Sequence, residues 1–281
     1  MFANIAARLP LIRRRVVPLV TVIRLDGAIM PGRGSFGADQ LNIESLAPVI
    51  AAAFRPKRLA AVALVINCPG GSPVQSALIA RRIRDLADEK NVKVYAFVED
   101  AAVSGGYWLA TAADEIYANP SSMVGSIGVI YAAFGFNEVM AKIGVERRVH
   151  TAGLRKAMLD PFQAENQDDV DKLKKLQGEI HQQFIDQVKS RRGDRLDDNQ
   201  SDDLFSGDVF LGEQGLALGL VDGMGDLYGT MRQKLGKKVR LIRMGGGRPL
   251  FRRLSGVTGG DPVSALLNTI EQRLYWYRIG L

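Results

Sequence analysis

Cysteine is nearly absent: the 281 residues contain one, Cys68. An intrachain disulfide is therefore excluded, and the chain needs no oxidising compartment. Cys68 follows an apolar run and is expected to be a small buried residue. Histidine is almost as scarce, with His150 and His181 alone. Neither zinc-finger spacing nor an aromatic RNA-binding motif occurs, so nucleic acid is not an expected partner. Long apolar runs are missing too. Residues 116 to 137 carry no charge, but Asn119, Pro120, Ser121, Ser122, Gly125, Ser126, Gly128, Gly135 and Asn137 interrupt them, which excludes a lipid-facing helix. The opening "MFANIAARLPLIRRRVVPLV" has no long apolar stretch followed by a cleavage site, and its arginines come after the apolar residues, unlike a secretory signal.

What is present suits a globular protein. Hydrophobic residues make up 47% and charged residues 24%, enough for a core and too apolar for global disorder. The length fits one large domain or two small ones, and no internal repeat is visible. Much of the net charge of +7 is local. Arg8, Arg13, Arg14 and Arg15 lie in an N-terminal arm; Lys237, Lys238, Arg240, Arg243, Arg248, Arg252 and Arg253 lie in a C-terminal stretch. Such ends can keep a protein soluble or touch an anionic membrane surface. Phe2, Ile5, Leu9 and Ile12 among the arginines could form a short amphipathic surface segment, weakened by Pro10.

The elements alternate. "VTVIRLDGAI" (20 to 29) reads as a strand ending in a turn at Asp26-Gly27, and 42 to 54 as a helix. "LAAVALVIN" (59 to 67) has the continuous apolar character of a strand buried on both faces. Ser72 and Pro73 open a helix to about Glu89, followed by a strand at 92 to 99, a helix from Ser104 to Ala113 and a short strand "DEIYAN". That order predicts an α/β fold with parallel strands and right-handed crossovers. Further helices are predicted at 137 to 143, at 166 to 191 with the stripe Val170, Leu173, Leu176, Ile180, Phe184 and Val188, and within "LGEQGLALGLVDGMGD". "ERRVHTAG" reads as a strand, the chain from about 236 as loop-rich, and "ALLNTIEQRLYWYRIGL" as a final helix.

Three features could carry chemistry. Ser104 sits at a strand-to-helix junction before Gly105-Gly106; on spacing it reads as a helix cap, yet a displayed serine followed by free amides also suits acyl transfer. "NCPGGSP" places Gly70 and Gly71 at the end of the preceding strand, where a tight turn or a close backbone approach to a ligand both fit. Both junctions follow consecutive strands of the same sheet, so their tips could be neighbours. A base could be His150 at the end of a predicted strand, while His181 lies near the edge of a helix stripe. Lys156 in "TAGLRKAMLD" is the other choice, since a desolvated lysine gives up its proton and can accept one from serine.

"INCPGGSP", "AAVSGGYWLATAADEIYANPSSMVGSIGVI", "HTAGLRKAMLD" and "GLALGLVD" occur in the order found in signal peptide peptidase A and its SohB-type relatives, and the chain resembles them over roughly residues 18 to 235. The Thr-Ala-Gly-x-x-Lys segment and the basic tail are closest to the SohB branch. The resemblance implies a ClpP/crotonase-like fold, with a mostly parallel sheet built from repeated ββα/βα units and helices packed around it. It implies a serine–lysine peptidase: Ser104 as nucleophile, Lys156 as general base, Ser126 as the serine that positions that lysine, and Gly70, Gly71 and Gly105 as the backbone oxyanion and substrate site. It implies extended apolar peptides as substrates, such as released signal peptides or membrane-protein fragments, a homo-oligomer, and no metal or other cofactor. The corresponding division is a basic arm at 1–17, a peptidase domain at 18–235 and a basic extension at 236–281 that could serve oligomerisation. Many relatives carry an N-terminal transmembrane anchor and this chain shows none, so a cytoplasmic place, or a peripheral one at the cytoplasmic face of the inner membrane, is expected.

Three other readings share this pattern: a crotonase-like acyl-CoA enzyme, for which Glu99 or Asp100 would supply a carboxylate base; a phage-type capsid maturation protease; and a non-catalytic scaffold, against which intact Ser104, Ser126 and Lys156 argue.

Overall fold

A computed structural model describes residues 17–32, 40–153, 155–197 and 201–245, with positions 273, 276, 277 and 279 near the C-terminus. Residues 1–16 of the N-terminal arm, and the tail helix apart from those four positions, lie outside the described residues. Along the chain run β1 (Leu19–Asp26), α1 (Ile43–Ala53), β2 (Leu59–Cys68), α2 (Pro73–Lys90), β3 (Lys93–Val103), α3 (Gly105–Ala110), β4 (Glu115–Ala118) and β5 (Met123–Gly125). Then come α4 (Asn137–Lys142), α5 (Gln167–Arg192), α6 (Ser201–Leu204), β6 (Val209–Leu211), α7 (Gly212–Ala217), β7 (Gly223–Met224), α8 (Leu227–Leu235) and β8 (Arg240–Met244).

One sheet holds these strands, in the order β6-β5-β3-β2-β1-β8. The apolar run of β2 lies between β1 and β3, both parallel to it, as expected for a strand buried on both faces. β3 is long enough to serve two neighbours on one side: Tyr95–Val98 pair with β4, and Ala101–Val103 pair with β5. β4 continues to β7, and β5 pairs antiparallel with β6. The predicted α/β fold with a mostly parallel sheet is therefore the observed one. The boundary expected at 235 falls between α8 and β8, and β8 lies in the sheet beside β1 rather than in a loop.

Local chemistry sets the helix starts. Asn42 caps α1 by accepting from Ser45 N at 2.9 Å. Ser72 accepts from Gln75 N with Pro73 in the first turn of α2, and Asn91 ends that helix at φ 50°. Alternate strand residues feed two cores. Ile23, Leu25, Leu64, Ile66 and Val98 pack under α1, α2 and α3. Val20, Val22, Ala63, Val65 and Phe97 face the other way, towards Met231 of α8.

α5 braces the first layer from outside. Phe184 stacks on Trp108 with centroids 4.9 Å apart, and Arg191 Nε donates to Thr111 O at 2.9 Å. Beneath it, buried Arg192 forms a bidentate pair with Asp222 at 2.8 and 3.1 Å and donates to Gly219 O. Asp222 also accepts from Ile116 N, so one carboxylate ties α5, β4 and the turn before β7 together. Of the predicted stripe on α5, Phe184 and Val188 are buried; Leu176 towards its start is exposed.

The strand expected in "ERRVHTAG" does not form. Residues 145–150 are without regular structure, and their charged side chains are served locally: Arg147 pairs with Asp160 at 2.9 Å and Arg148 with Glu146 at 2.8 Å. β5, the strand before it in sequence, is paired on both sides, by β3 and by β6, and offers this segment no ladder. Among the described residues no helix is long and apolar enough to cross a membrane.

Removing one partner of a buried ion pair strands the other. Arg192→Met is expected to lower unfolding stability by about 3–5 kcal/mol, read as a shift of the urea midpoint at unchanged slope. An unchanged midpoint would mean that Asp222 is hydrated without its partner.

Candidate active site

Three strand exits meet at one edge of the sheet, and the geometry follows from main chain. After β2 the backbone turns through Gly70 and Gly71 at φ 104° and 138°, values that L side chains rarely adopt. Ile29, just beyond the β1 turn, grips this loop as a parallel bridge: Ile29 N donates to Gly70 O, and Ser72 N donates to Ile29 O, both at 2.8 Å. In such a bridge the middle residue is free, so the Gly71 amide takes no partner from Ile29. A Cβ on Gly71 would stand 2.0 Å from Ile29 O, so this position requires glycine.

After β3 the chain passes through Ser104 at φ 52°, ψ −125°. A non-glycine residue there carries about 1–3 kcal/mol of strain. It is held by its neighbours: Ser104 N donates to Gly125 O at 2.8 Å, and Ser104 O accepts from Tyr107 N and Trp108 N. The side chain makes no capping bond, so the hydroxyl is not spent on the helix. This differs from the cap reading. Gly70 faces Ser104 so closely that a Cβ on it would lie 2.8 Å from Ser104 Cβ and 3.1 Å from both Ser104 Oγ and Gly105 N. A Cβ on Gly105 would lie 3.3 Å from Gly71 N. Gly70, Gly71, Ser104 and Gly105 therefore crowd together, and Gly105, first in its helix, has no intrahelical acceptor.

Under this pair sits Cys68, fully buried; a Cβ on Gly106 would meet Cys68 O at 2.4 Å. Burial pushes the Cys68 thiol up to about 12. Cys68 is thus a buried, protonated small residue, as its sequence context predicts.

The third exit, after β5, carries Ser126, also at φ 52°, with Ser126 N donating to Asp208 O at 2.6 Å. Val103 and Gly125 are paired, so Ser104 and Ser126 leave adjacent strands side by side. The next residue, Ile127, has its carbonyl 2.9 Å from His181 Nε2. A carbonyl only accepts, so Nε2 carries the proton. His181 is therefore a structural donor between α5 and this strand exit, a contact that its place near a stripe edge did not announce.

Lys156 and His150 are not brought to this cluster. Both are exposed, on the segment that follows β5, and among the described residues the Lys156 side chain makes no hydrogen bond or ion pair. The same segment exposes Ile130 (70%), Phe134 (80%), Val139 and Ile143, an apolar surface left uncovered by the described residues. Glu99 and Asp100 also point elsewhere. Arg24 clamps Glu99 at 2.7 and 3.0 Å, Asn67 Nδ2 donates to Asp100, and both carboxylates line an open cavity of ≈ 850 Å³ shared with Phe97, Leu241 and Asp226. Among the described residues no group of three or more His, Cys, Asp or Glu could hold a metal ion. A serine hydroxyl without a capping bond can attack a carbonyl, and main-chain amides close to it can hold the resulting oxyanion if they face it.

The sequence profile of peptidase family S49 matches residues 87–240. A putative protease of Synechocystis is 30% identical over 211 residues, covering 73% of this chain and 74% of that protein. A Brucella melitensis protein named as a Na(+)/H(+) antiporter is 50% identical over 95% of this chain, which spans 38% of that relative's length. A solved membrane-bound stomatin-specific protease with a substrate peptide has a TM-score of 0.51 at 14% identity, covering 86% of this chain and 99% of its own. The fold and the peptidase resemblance expected from the motifs are both borne out.

Two expectations test this packing. Cys68 should resist thiol reagents at pH 8 in the folded protein and react once the chain is unfolded by urea, because its pKa is raised and its surface covered; fast native labelling would contradict the burial. Gly71→Ala should displace the Ile29 bridge and lower the melting temperature by several degrees, measured by circular dichroism.

Proposed function

Because this chain belongs to peptidase family S49, we propose that it is a serine endopeptidase with Ser104 as nucleophile and Lys156 as general base. Family membership supports the serine-type peptidase; the geometry supports Ser104, and the roles of Lys156 and Ser126 rest on the resemblance of their motifs. The observation that carries it is Ser104 at positive φ with its hydroxyl uncommitted and nothing larger than a glycine between it and the amides of Gly71 and Gly105. Strain of this kind is kept where it displays a reacting group.

In the proposed reaction, uncharged Lys156 accepts the proton of Ser104 as Oγ bonds to a peptide carbonyl carbon. The carbonyl π pair moves to oxygen, where the two amides receive it. Collapse of this adduct breaks the C–N bond, and Lys156 returns the proton to the departing amine. Water then cleaves the acyl ester, releasing the acid and Ser104. Ser126 would orient Lys156 from the adjoining strand exit, and Gly70 would leave room for the substrate chain. No metal or other cofactor enters these steps.

Lys156 lies on the exposed segment after β5 in a single chain, so the proposal places closure of the Ser104–Lys156 pair in an assembly of copies that covers Ile130, Phe134 and Ile143. Extended apolar peptides, such as released signal peptides or membrane-protein fragments, are the proposed substrates, and the cytoplasm or the cytoplasmic membrane face the proposed place. A crotonase-like reaction gains no support, since Glu99 and Asp100 are committed to Arg24 and Asn67 away from Ser104. Transport belongs to the name of the longer Brucella protein and is no part of the proposal.

Hydrolysis of apolar fluorogenic peptides tests this. Ser104→Ala and Lys156→Ala should each lose on the order of 10⁴-fold or more in kcat, and Ser126→Ala about 10–100-fold. Activity that persists in Ser104→Ala would overturn the assignment.

A further inference from the structure

We propose that Ile29 is a positioning residue for the oxyanion site and that Ser76 completes the floor beneath it; the inference rests on the serine-peptidase reading above. Neither residue belongs to a glycine-rich motif, and Ile29 reads in the sequence as an ordinary strand-end apolar residue.

The need for a clamp comes from Gly70 and Gly71 themselves. Two successive glycines can rotate their shared peptide plane at little cost. In one orientation the Gly71 amide faces Ser104; in the flipped one the Gly70 carbonyl does, and its negative oxygen would repel a developing oxyanion. The peptide is trans, so its C=O and N–H point in opposite directions. Ile29 N holds Gly70 O at 2.8 Å, which turns the Gly71 N–H away from Ile29; the proposal has it face Ser104. The bond from Ser72 N to Ile29 O closes the loop from its other end.

The side chain acts on the second amide. Ile29 is fully buried, and its Cδ1 lies 3.1 Å from where a Cβ on Gly105 would stand. Ser76 Oγ lies 2.6 Å from the same point and donates to Ser72 O at 2.8 Å. Ile29 and Ser76 thus support Gly105 from below while Ile29 and Ser72 hold the Gly71 loop. One residue, through its main chain and its side chain, sets both donors. Donors must be aimed before the charge develops, because reorganising them during reaction forfeits their benefit.

The test compares Ile29→Val, which removes only Cδ1, and Ser76→Ala with the wild type. Activity is expressed per site titrated with a fluorophosphonate. The second readout is inhibition by a peptide aldehyde, to which the Ser104 hydroxyl adds across the carbonyl to give a hemiacetal whose oxygen occupies the oxyanion site. The expected result for Ile29→Val is a fall in kcat of about tenfold with KM within about twofold, and a fall in aldehyde affinity by the same factor as kcat/KM. Ser76→Ala should move the same quantities in the same direction, and it carries the test if Ile29→Val does not fold. A purely structural role would lower the melting temperature and leave kcat per titrated site and the aldehyde-to-substrate ratio unchanged, which would overturn the inference. If the wild type hydrolyses peptides and both variants match it, the inference alone falls. If the wild type hydrolyses nothing, the peptidase reading falls and takes the inference with it.

Discussion

The close approach of the β2 and β3 exits, with no side chain between them, is the constraint on which the rest of the site depends. Gly70 lies against Ser104, Gly105 above Ser76, and Gly106 against the Cys68 carbonyl. Each contact is too tight for a Cβ without movement of its neighbour. The register makes this possible: the β2–β3 ladder shifts between Ile66 and Cys68, so that Cys68 pairs with Ala102. That shift puts the Cys68 carbonyl under Gly106 and the glycine loop beside the serine. Parallel neighbours deliver their C-terminal ends to one edge of a sheet, which is where ligand sites of open α/β folds gather.

The strain at Ser104 is offset by what surrounds it. Tyr107, Leu109 and Ile116 are fully buried behind the Ser104 turn, and Tyr107 OH donates to Leu220 O. Burying such side chains is worth about 1.5–3 kcal/mol each, comparable to the cost of one residue at positive φ. α5 presses on α3 through Phe184 and Arg191, and the Arg192–Asp222 pair fixes α5 in turn. The turn is thus held from below by the core and from outside by a helix.

Much of this arrangement was legible in the residues. The apolar run of β2, the Ser72-Pro73 helix start and the alternation from 59 to 119 led directly to a parallel sheet, because burial on both faces and capping leave local marks. The glycine-rich junctions marked the strand exits for the same reason. β8 was not visible, since "VRLIRM" sits in a basic stretch and gains its strand state from the open edge of β1. The strand expected in "ERRVHTAG" is the converse: β5, the strand before it, is paired on both sides, and Arg147 and Arg148 pair locally with Asp160 and Glu146. Ile29 left no mark because its grip on the loop is made by main chain, which every residue type carries. Lys156 lies on the apolar segment after β5, which the described residues leave exposed, so its relation to Ser104 left no mark in the sequence.

The most direct test of the central claim is covalent. A fluorophosphonate should phosphonylate one residue of the folded protein, the serine oxygen bonding to phosphorus as fluoride leaves, and fragmentation of the peptide spanning 94–142 should place the adduct on Ser104 and not on Ser121, Ser122 or Ser126. The adduct should vanish in Ser104→Ala. No adduct on the assembled protein, or one on any other residue, would contradict the reading of Ser104 as an activated nucleophile.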